Sequence, residues 1–291
     1  PAFANQDAAV KLSLWDNMSV SAPDNPNHVT GFELAFGSRA NTFRGFQWAF
    51  IQSEVRDEFI GLSLAGIRTK MGDMSGVQVG MISETDKMRG LQLGLHSVAH
   101  NDTMGVQTGL VTQVEGNYMG LQLGGLSEVE GDFFGAQLSF SSRLNNFTGV
   151  QFGGLSTTNG NFLGLQWALS AETTENFTGV QFAGVTVSQG YFTGLQLGWL
   201  NTVESDFVGA QLGLYSELNA GGLGLQFGAA NVSASYIKGA QVGFFNEAQR
   251  IEGFQLGLFN YAESIYGLQV GLVNMAKNGW FPVMVLVNGR F

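Results

Sequence analysis

Phe192-Thr-Gly194-Leu-Gln196-Leu-Gly198-Trp-Leu200 decides how this chain is read, because the chain repeats it almost from end to end. The pattern is a large apolar residue, any residue, Gly, apolar, Gln, apolar, Gly or Ala, then two apolar residues. Its first glycine recurs seventeen times, from Gly31 and Gly45 to Gly253 and Gly267, at spacings of 14 to 16 residues and most often 15. A fixed short period marks a repeat architecture and takes precedence over residue-by-residue reading.

Within a copy the pattern alternates with period two, which predicts a strand. One face carries Leu195, Leu197 and Trp199; the other carries Phe192, Gly194, Gln196, Gly198 and Leu200. The central position is Gln in fifteen copies, replaced only by Glu33 and Ser63, to which no function is assigned because terminal repeats are often atypical. Polar stretches such as Asn201-Thr-Val-Glu-Ser-Asp206 separate the copies and read as turns.

The pattern is nearly a mirror image about its Gln. A parallel stack has no need of such symmetry, whereas strands running alternately up and down at one fixed depth do, and a membrane fixes a depth. The predicted fold is therefore all-β, an up-and-down antiparallel transmembrane β-barrel built from 15-residue repeats. Val10–Leu14 and Phe281–Phe291 bring the candidate strands to nineteen; an even number, eighteen, is expected of a single-chain bacterial barrel.

The two positions flanking each Gln are never charged, while the position before the first Gly admits Arg44, Arg89, Lys238 and Glu252. A bilayer imposes such a gradient, since a basic side chain at mid-depth costs roughly 2–4 kcal/mol. In a barrel the lumen would be lined by Gln47, Gln78, Gln92, Gln107, Gln122, Gln137, Gln151, Gln166, Gln181, Gln196, Gln211, Gln226, Gln241, Gln255 and Gln269. That lining is uncharged and would pass small hydrophilic solutes, or it merely satisfies neighbouring strands. The alternative fold is a parallel β-solenoid with about fifteen residues per coil. There Leu195, Leu197 and Trp199 would point inward, Phe192 and Leu200 would turn in at corners, and the glutamines would form an exposed amide ladder.

Composition agrees with either fold. In 291 residues there are 42 Gly and 24 Phe but only 12% charged residues, and the net charge is −10. Disorder and nucleic-acid binding are disfavoured on these grounds. The unbroken repeat argues for a single β domain over residues 8–291, preceded by a segment 1–7. Pro1-Ala-Phe-Ala4 resembles the tail of a secretory signal peptide, and a processing remnant and an ordinary terminus both stand open. There is no Cys, and no apolar run approaches the length of a membrane helix.

Catalytic chemistry is not legible. His28, His96 and His100 lie in turns or at strand ends without an evident carboxylate partner. The acidic clusters Glu128/Glu130/Asp132 and Glu54/Asp57/Glu58 read as solvated loops, no glycine precedes a phosphate-loop lysine, and no serine sits in a nucleophile elbow. The expectation is a protein that is not an enzyme, with no cofactor and no metal.

The chain closes on Phe281-Pro-Val283-Met-Val285-Leu-Val287-Asn-Gly-Arg-Phe291, with Phe281, Val283, Val285, Val287 and Phe291 on one face. This stretch resembles the assembly signal of bacterial outer-membrane β-barrel proteins, with Gly289 where many such signals carry an aromatic. The copies Gly253-Phe-Gln-Leu-Gly-Leu-Phe-Asn260 and Gly267-Leu-Gln-Val-Gly-Leu-Val-Asn274 resemble exported Gram-negative proteins with short Gly-Leu-Gln-Leu-Gly surface repeats. The resemblance implies residence in the bacterial outer membrane, or secretion to the cell surface. It implies as partners outer-membrane lipid, the barrel-assembly machinery, and other envelope proteins or further copies of the chain. The expected function is non-enzymatic: a general pore or structural surface protein, or alternatively a secreted solenoid acting in adhesion or fibre formation.

Overall fold

A computed structural model describes residues 8–15, 18–19 and 28–291; the signal-like Pro1–Ala4 lies outside the described residues. The chain divides into two compact units, Pro1–Leu144 and Asn145–Phe291. The first holds β1 (Ala8–Trp15), β2 (Met18–Ser19), β3 (His28–Ala65), β4 (Arg68–Val79), β5 (Ile82–Leu93), β6 (His96–Ala99), β7 (Thr103–Val114), β8 (Tyr118–Val129) and β9 (Phe133–Leu144). The second holds β10 (Phe147–Thr158), β11 (Phe162–Thr173), β12 (Phe177–Ser188), β13 (Phe192–Val203), β14 (Phe207–Leu218), β15 (Gly222–Val242), β16 (Phe245–Leu256), β17 (Phe259–Ala276) and β18 (Val283–Arg290).

Successive strands in each unit pair in parallel and in register. Phe177 lies beside Phe192, Gly179 beside Gly194 and Gln181 beside Gln196; Tyr118 lies beside Phe133 and Gln122 beside Gln137. Antiparallel pairing is confined, among the described residues, to β1 with β2 and β17 with β18. Each unit is thus a parallel β-solenoid in which one copy makes one coil. The expected antiparallel barrel does not form. Only Glu204–Asp206 separates β13 from β14, and a flat sheet needs a dozen or more residues to bring a strand back parallel to itself. A link this short closes only if the strand itself turns around an axis within its twelve residues.

Three bends in each coil do this. The first is the repeat's leading glycine: Gly194 has φ +139°, and a Cβ there would lie 1.9 Å from the carbonyl oxygen of Gly179. All seventeen leading glycines have φ between 130° and 146°, so the column needs a residue without Cβ on two independent grounds. The second bend falls at Trp199 and Leu200, where two consecutive side chains face outward and the alternation slips by one. The third is the turn at Glu204–Asp206.

The slip decides what is inside. Along β13 the buried residues are Phe192, Gln196, Asn201 and Val203, while Trp199 and Leu200 are exposed. This reverses the interior expected for a solenoid, because Leu195, Leu197 and Trp199 lie on the outer side of the strand. Leu200, assigned by simple alternation to the Gln face, is also outside. The core is a set of columns running along the coil axis. In the second unit Phe147, Phe162, Phe177, Phe192 and Phe207 stack ring on ring at 4.9 to 5.5 Å, within the range aromatic pairs prefer. Ile237, Ile251 and Ile265 continue that column.

The last strand ends the stack. β18 runs antiparallel to β17, with Gly271 beside Leu286 and Val270 beside Val287. Leu286 has φ 72°, alone among the non-glycine described residues in being positive, and the irregularity blunts an otherwise open edge.

Candidate functional site

The fifteen glutamines expected to line a pore are core residues, none more than 1% exposed. Within each unit parallel register places successive glutamines one above another, so that the side-chain amide of one donates to the side-chain carbonyl of the one before. In the second unit the chain runs from Gln166 donating to Gln151 at 2.7 Å, through Gln226 to Gln211 at 2.9 Å, to Gln269 donating to Gln255 at 2.7 Å. In the first unit Gln137 donates to Gln122 at 2.8 Å and Gln107 to Gln92 at 3.0 Å.

The run from Gln78 begins on Gln78 itself, whose Nε2 donates to the Glu84 carbonyl at 2.9 Å. In the coils before it, Glu33 Oε2 accepts from Gln47 at 2.8 Å, and Glu33 Oε1 faces Ser13 Oγ and Lys11 Nζ, each at 3.2 Å. Lys11 and Glu33 are 2% and 0% exposed, so the carboxylate that breaks the Gln rule carries its own buried counter-charge. Ser63, the other exception, donates to Gln47 Oε1 at 3.1 Å. In the last coil of the second unit Gln269 Oε1 is buried without a donor.

A second buried polar column was not anticipated. It sits five residues after each Gln: Asn231 donates to Asn246 at 2.9 Å, Asn246 to Asn260 at 2.8 Å, and Asn260 to Asn274 at 2.8 Å. Thr186, Asn201 and Ser216 occupy the same level in earlier coils. From Gln78 onward every residue at this spacing is Ser, Thr or Asn except Ala171. An odd spacing places that column on the Gln side only if the strand turns a corner between them, and the corner is the slip at Trp199–Leu200.

Hydrocarbon fills part of the core and also covers the outside. In each unit four columns, one before and one, three and four after each Gln, lie on the outer side. They include Trp167, Leu169, Phe182, Trp199, Leu214, Phe227, Phe244 and Leu258, with Leu169 and Trp199 each 71% exposed. In all seventeen copies no Asp, Glu, Lys or Arg occupies any of these positions. The largest apolar patch on an ordinary soluble monomer is about 300–600 Å²; this one recurs at every coil of each unit.

Within the second unit the face is creased. The residue two after Gln is glycine at Gly213, Gly228, Gly243, Gly257 and Gly271, where a Cβ would approach the previous coil's carbonyl to 1.9–2.5 Å. These glycines floor an apolar groove of about 810 Å³, walled by Phe227, Phe244, Leu256 and Leu258 and closed by Leu286 and Val287. No lining side chain can donate or accept a hydrogen bond. The groove therefore discriminates against polar occupants, whose own groups would be left unpaired.

Of the residues assigned to an assembly signal, Val283, Val285 and Val287 share the outward side of the terminal strand, and Phe281 and Phe291 are exposed beside it. Asn288, between them, is buried and donates to the Phe281 carbonyl at 2.9 Å. The histidines are less isolated than their sequence positions imply. His100 lies 3.1 Å from Glu115 and 3.4 Å from Glu84, and Glu84 is bound by Arg68 at 2.5 Å and Lys70 at 2.8 Å. Burial works to raise the Glu84 carboxyl, but the hydrogen bonds from Lys70 and Arg68 prevail and hold it down at about 2. Burial works against protonation of His100, and Glu115 and Glu84 overcome it, so its imidazole is shifted upward. His28 bonds Thr42 at 2.6 Å, and His96 lies on the apolar face. Among the described residues no three His, Asp or Glu side chains gather as a metal site.

Comparison with protein-family models, curated proteins and solved structures returns no match.

Proposed function

We propose that this protein is a non-enzymatic structural solenoid, exported to the bacterial cell surface, that works by adhesion or assembly through its apolar face. The observation that carries the reading is the combination of a hydrogen-bonded amide core with an outer face from which charge is absent in every copy. A fold that needed only to be soluble would lose nothing by placing Lys or Glu on that face. Exposed apolar area is worth about 25 cal/mol per Å² when covered, so a face of this extent is a strong drive toward contact. Likeness of the repeats and the C-terminal strand to exported Gram-negative proteins supports the location.

Purified chain should be retained on octyl-grafted beads and form assemblies visible by electron microscopy without detergent. A variant carrying Trp199→Lys and Leu214→Lys, both outward side chains, should lose retention while keeping its far-UV circular dichroism. Retention unchanged by these substitutions, or steady single-channel conductance in planar bilayers with heat-modifiable migration on gels, would overturn the proposal.

A further inference from the structure

We infer that the apolar face of the second unit is covered by a second copy of this chain, sheet against sheet, about a two-fold axis parallel to the coil axis. The inference rests on the reading of that face as the working surface and names its partner.

The extent of the face is the first argument. Nine leading glycines, Gly149 to Gly267, mark nine rungs in this unit. At ~4.8 Å per rung and ~3.3 Å per residue along each strand, the four columns cover roughly 40 by 16 Å. That is about 650 Å² before side-chain relief, close to the ~800 Å² per partner of a stable complex.

Relief is the second. The column three after Gln is a ridge (Leu214, Phe244, Leu258, Leu272), and the column beside it is the glycine groove (Gly213, Gly243, Gly257, Gly271). Ridge and groove lie one residue apart and repeat with the same rung spacing. An axis between the two columns exchanges them, so over the coils from Gly213 to Leu272 each copy's ridge enters the other's groove. A surface that complements itself under a two-fold is what an isologous dimer requires.

Charge is the third. The flank six residues after Gln carries Glu172, Glu217 and Glu247, whereas the opposite flank, three before Gln, carries Lys238 and Glu252, which pair with each other at 3.8 Å. An axis along the coils sets one copy's acidic flank against the other's flank of balanced charge; an axis across them would set acid against acid. The acidic flank also repels anionic headgroups, whereas surface-lying membrane segments carry Lys and Arg there.

Light scattering and sedimentation of the full chain should give a dimer or an even-numbered assembly that dissociates on dilution. Phe244→Lys with Leu258→Lys should shift it to monomer. Because the chain has no cysteine, Ala229→Cys on the same ridge should cross-link between copies on mild oxidation, and this conservative variant covers the case in which the lysine variant does not fold. A monomer at high micromolar concentration with no cross-linking, or an assembly indifferent to the lysines, overturns the inference. Capture of a monomer by phosphatidylcholine vesicles overturns it in favour of lipid. A monomer still retained on octyl beads removes the second copy but leaves the proposed function; a monomer that is not retained removes both.

Discussion

The side-chain amide of Gln196 donates to Gln181 Oε1 at 3.0 Å, and Gln181 in turn donates to Gln166 at 2.8 Å. Three residues fifteen apart in sequence are thus consecutive links of one hydrogen-bonded chain, buried at every link. Such links are worth little each in water, where the amides would bond solvent equally well. Inside the coil, each is costly to leave unmade.

Gln181→Leu should therefore destabilise the second unit well beyond the loss of one hydrogen bond. It strands the Gln196 amide and the Gln166 carbonyl together, at roughly 1–3 kcal/mol for each unpaired group. Urea unfolding followed by circular dichroism measures the sum. A change below about 1 kcal/mol would mean the ladder is not what holds the register.

Gly194→Ala meets a different obstacle. A side chain at φ +139° is strained, and its Cβ would lie 1.9 Å from the Gly179 carbonyl oxygen. Strain alone costs about 1–3 kcal/mol, and the clash adds backbone displacement in two adjacent coils. Gly184→Ala, where the nearest atom is a carbonyl oxygen at 2.8 Å and φ is not positive, should cost clearly less. Melting temperatures of the two variants side by side decide it; equal losses would refute the account.

Glu33→Gln preserves shape but leaves Lys11, 2% exposed, facing a neutral amide. Removing one partner of a buried pair costs about 3–5 kcal/mol. Lys11→Met alone should cost a similar amount, and the double variant less than the sum of the two. A double-mutant cycle with no coupling would show that the two charges do not act as a pair.

The first unit should lose stability at both ends of the pH scale through one cluster. The Glu84 carboxyl is lowered from 4.5 to about 2, so its contribution is complete above pH 4.5 and fades as pH falls toward 2. His100 is raised above 6.5. Its contribution is complete below pH 6.5 and disappears as pH rises through the raised value. His100 is about one-third exposed, so its effect should stay below about 1 kcal/mol. His100→Gln should flatten the upper limb of a Tm-versus-pH curve and spare the lower; loss of the lower limb instead would assign the cluster wrongly.

Much of this was legible in the residues. The period, the strands, the column of aligned amides and the charge-free opposite face can all be read from Phe192–Leu200 and its copies. The direction of successive strands was misread from a symmetry that the chain does not keep. The glycine two before the central residue is present in all seventeen copies, whereas the position two after admits Ala35, Ala49, Ala65, Ala168, Ala183 and Ser139. The first position is set by a positive φ and the second by room beneath the neighbouring coil, two different constraints that happen to favour the same residue. The polar column at Thr186, Asn201 and Ser216 carried a further sign, since its odd spacing from Gln is incompatible with one flat alternating strand.

The sequence alone determined that equivalent residues recur every fifteen positions and that one side of each strand is free of charge, because periodicity and alternation are local properties of the chain. Only the tertiary structure decided that the copies coil in one direction and that Gln, rather than Leu and Trp, is enclosed. Those outcomes depend on backbone turns at Gly194 and at Trp199–Leu200 and on amides meeting across fifteen residues, and neither relationship exists until one coil lies on the next.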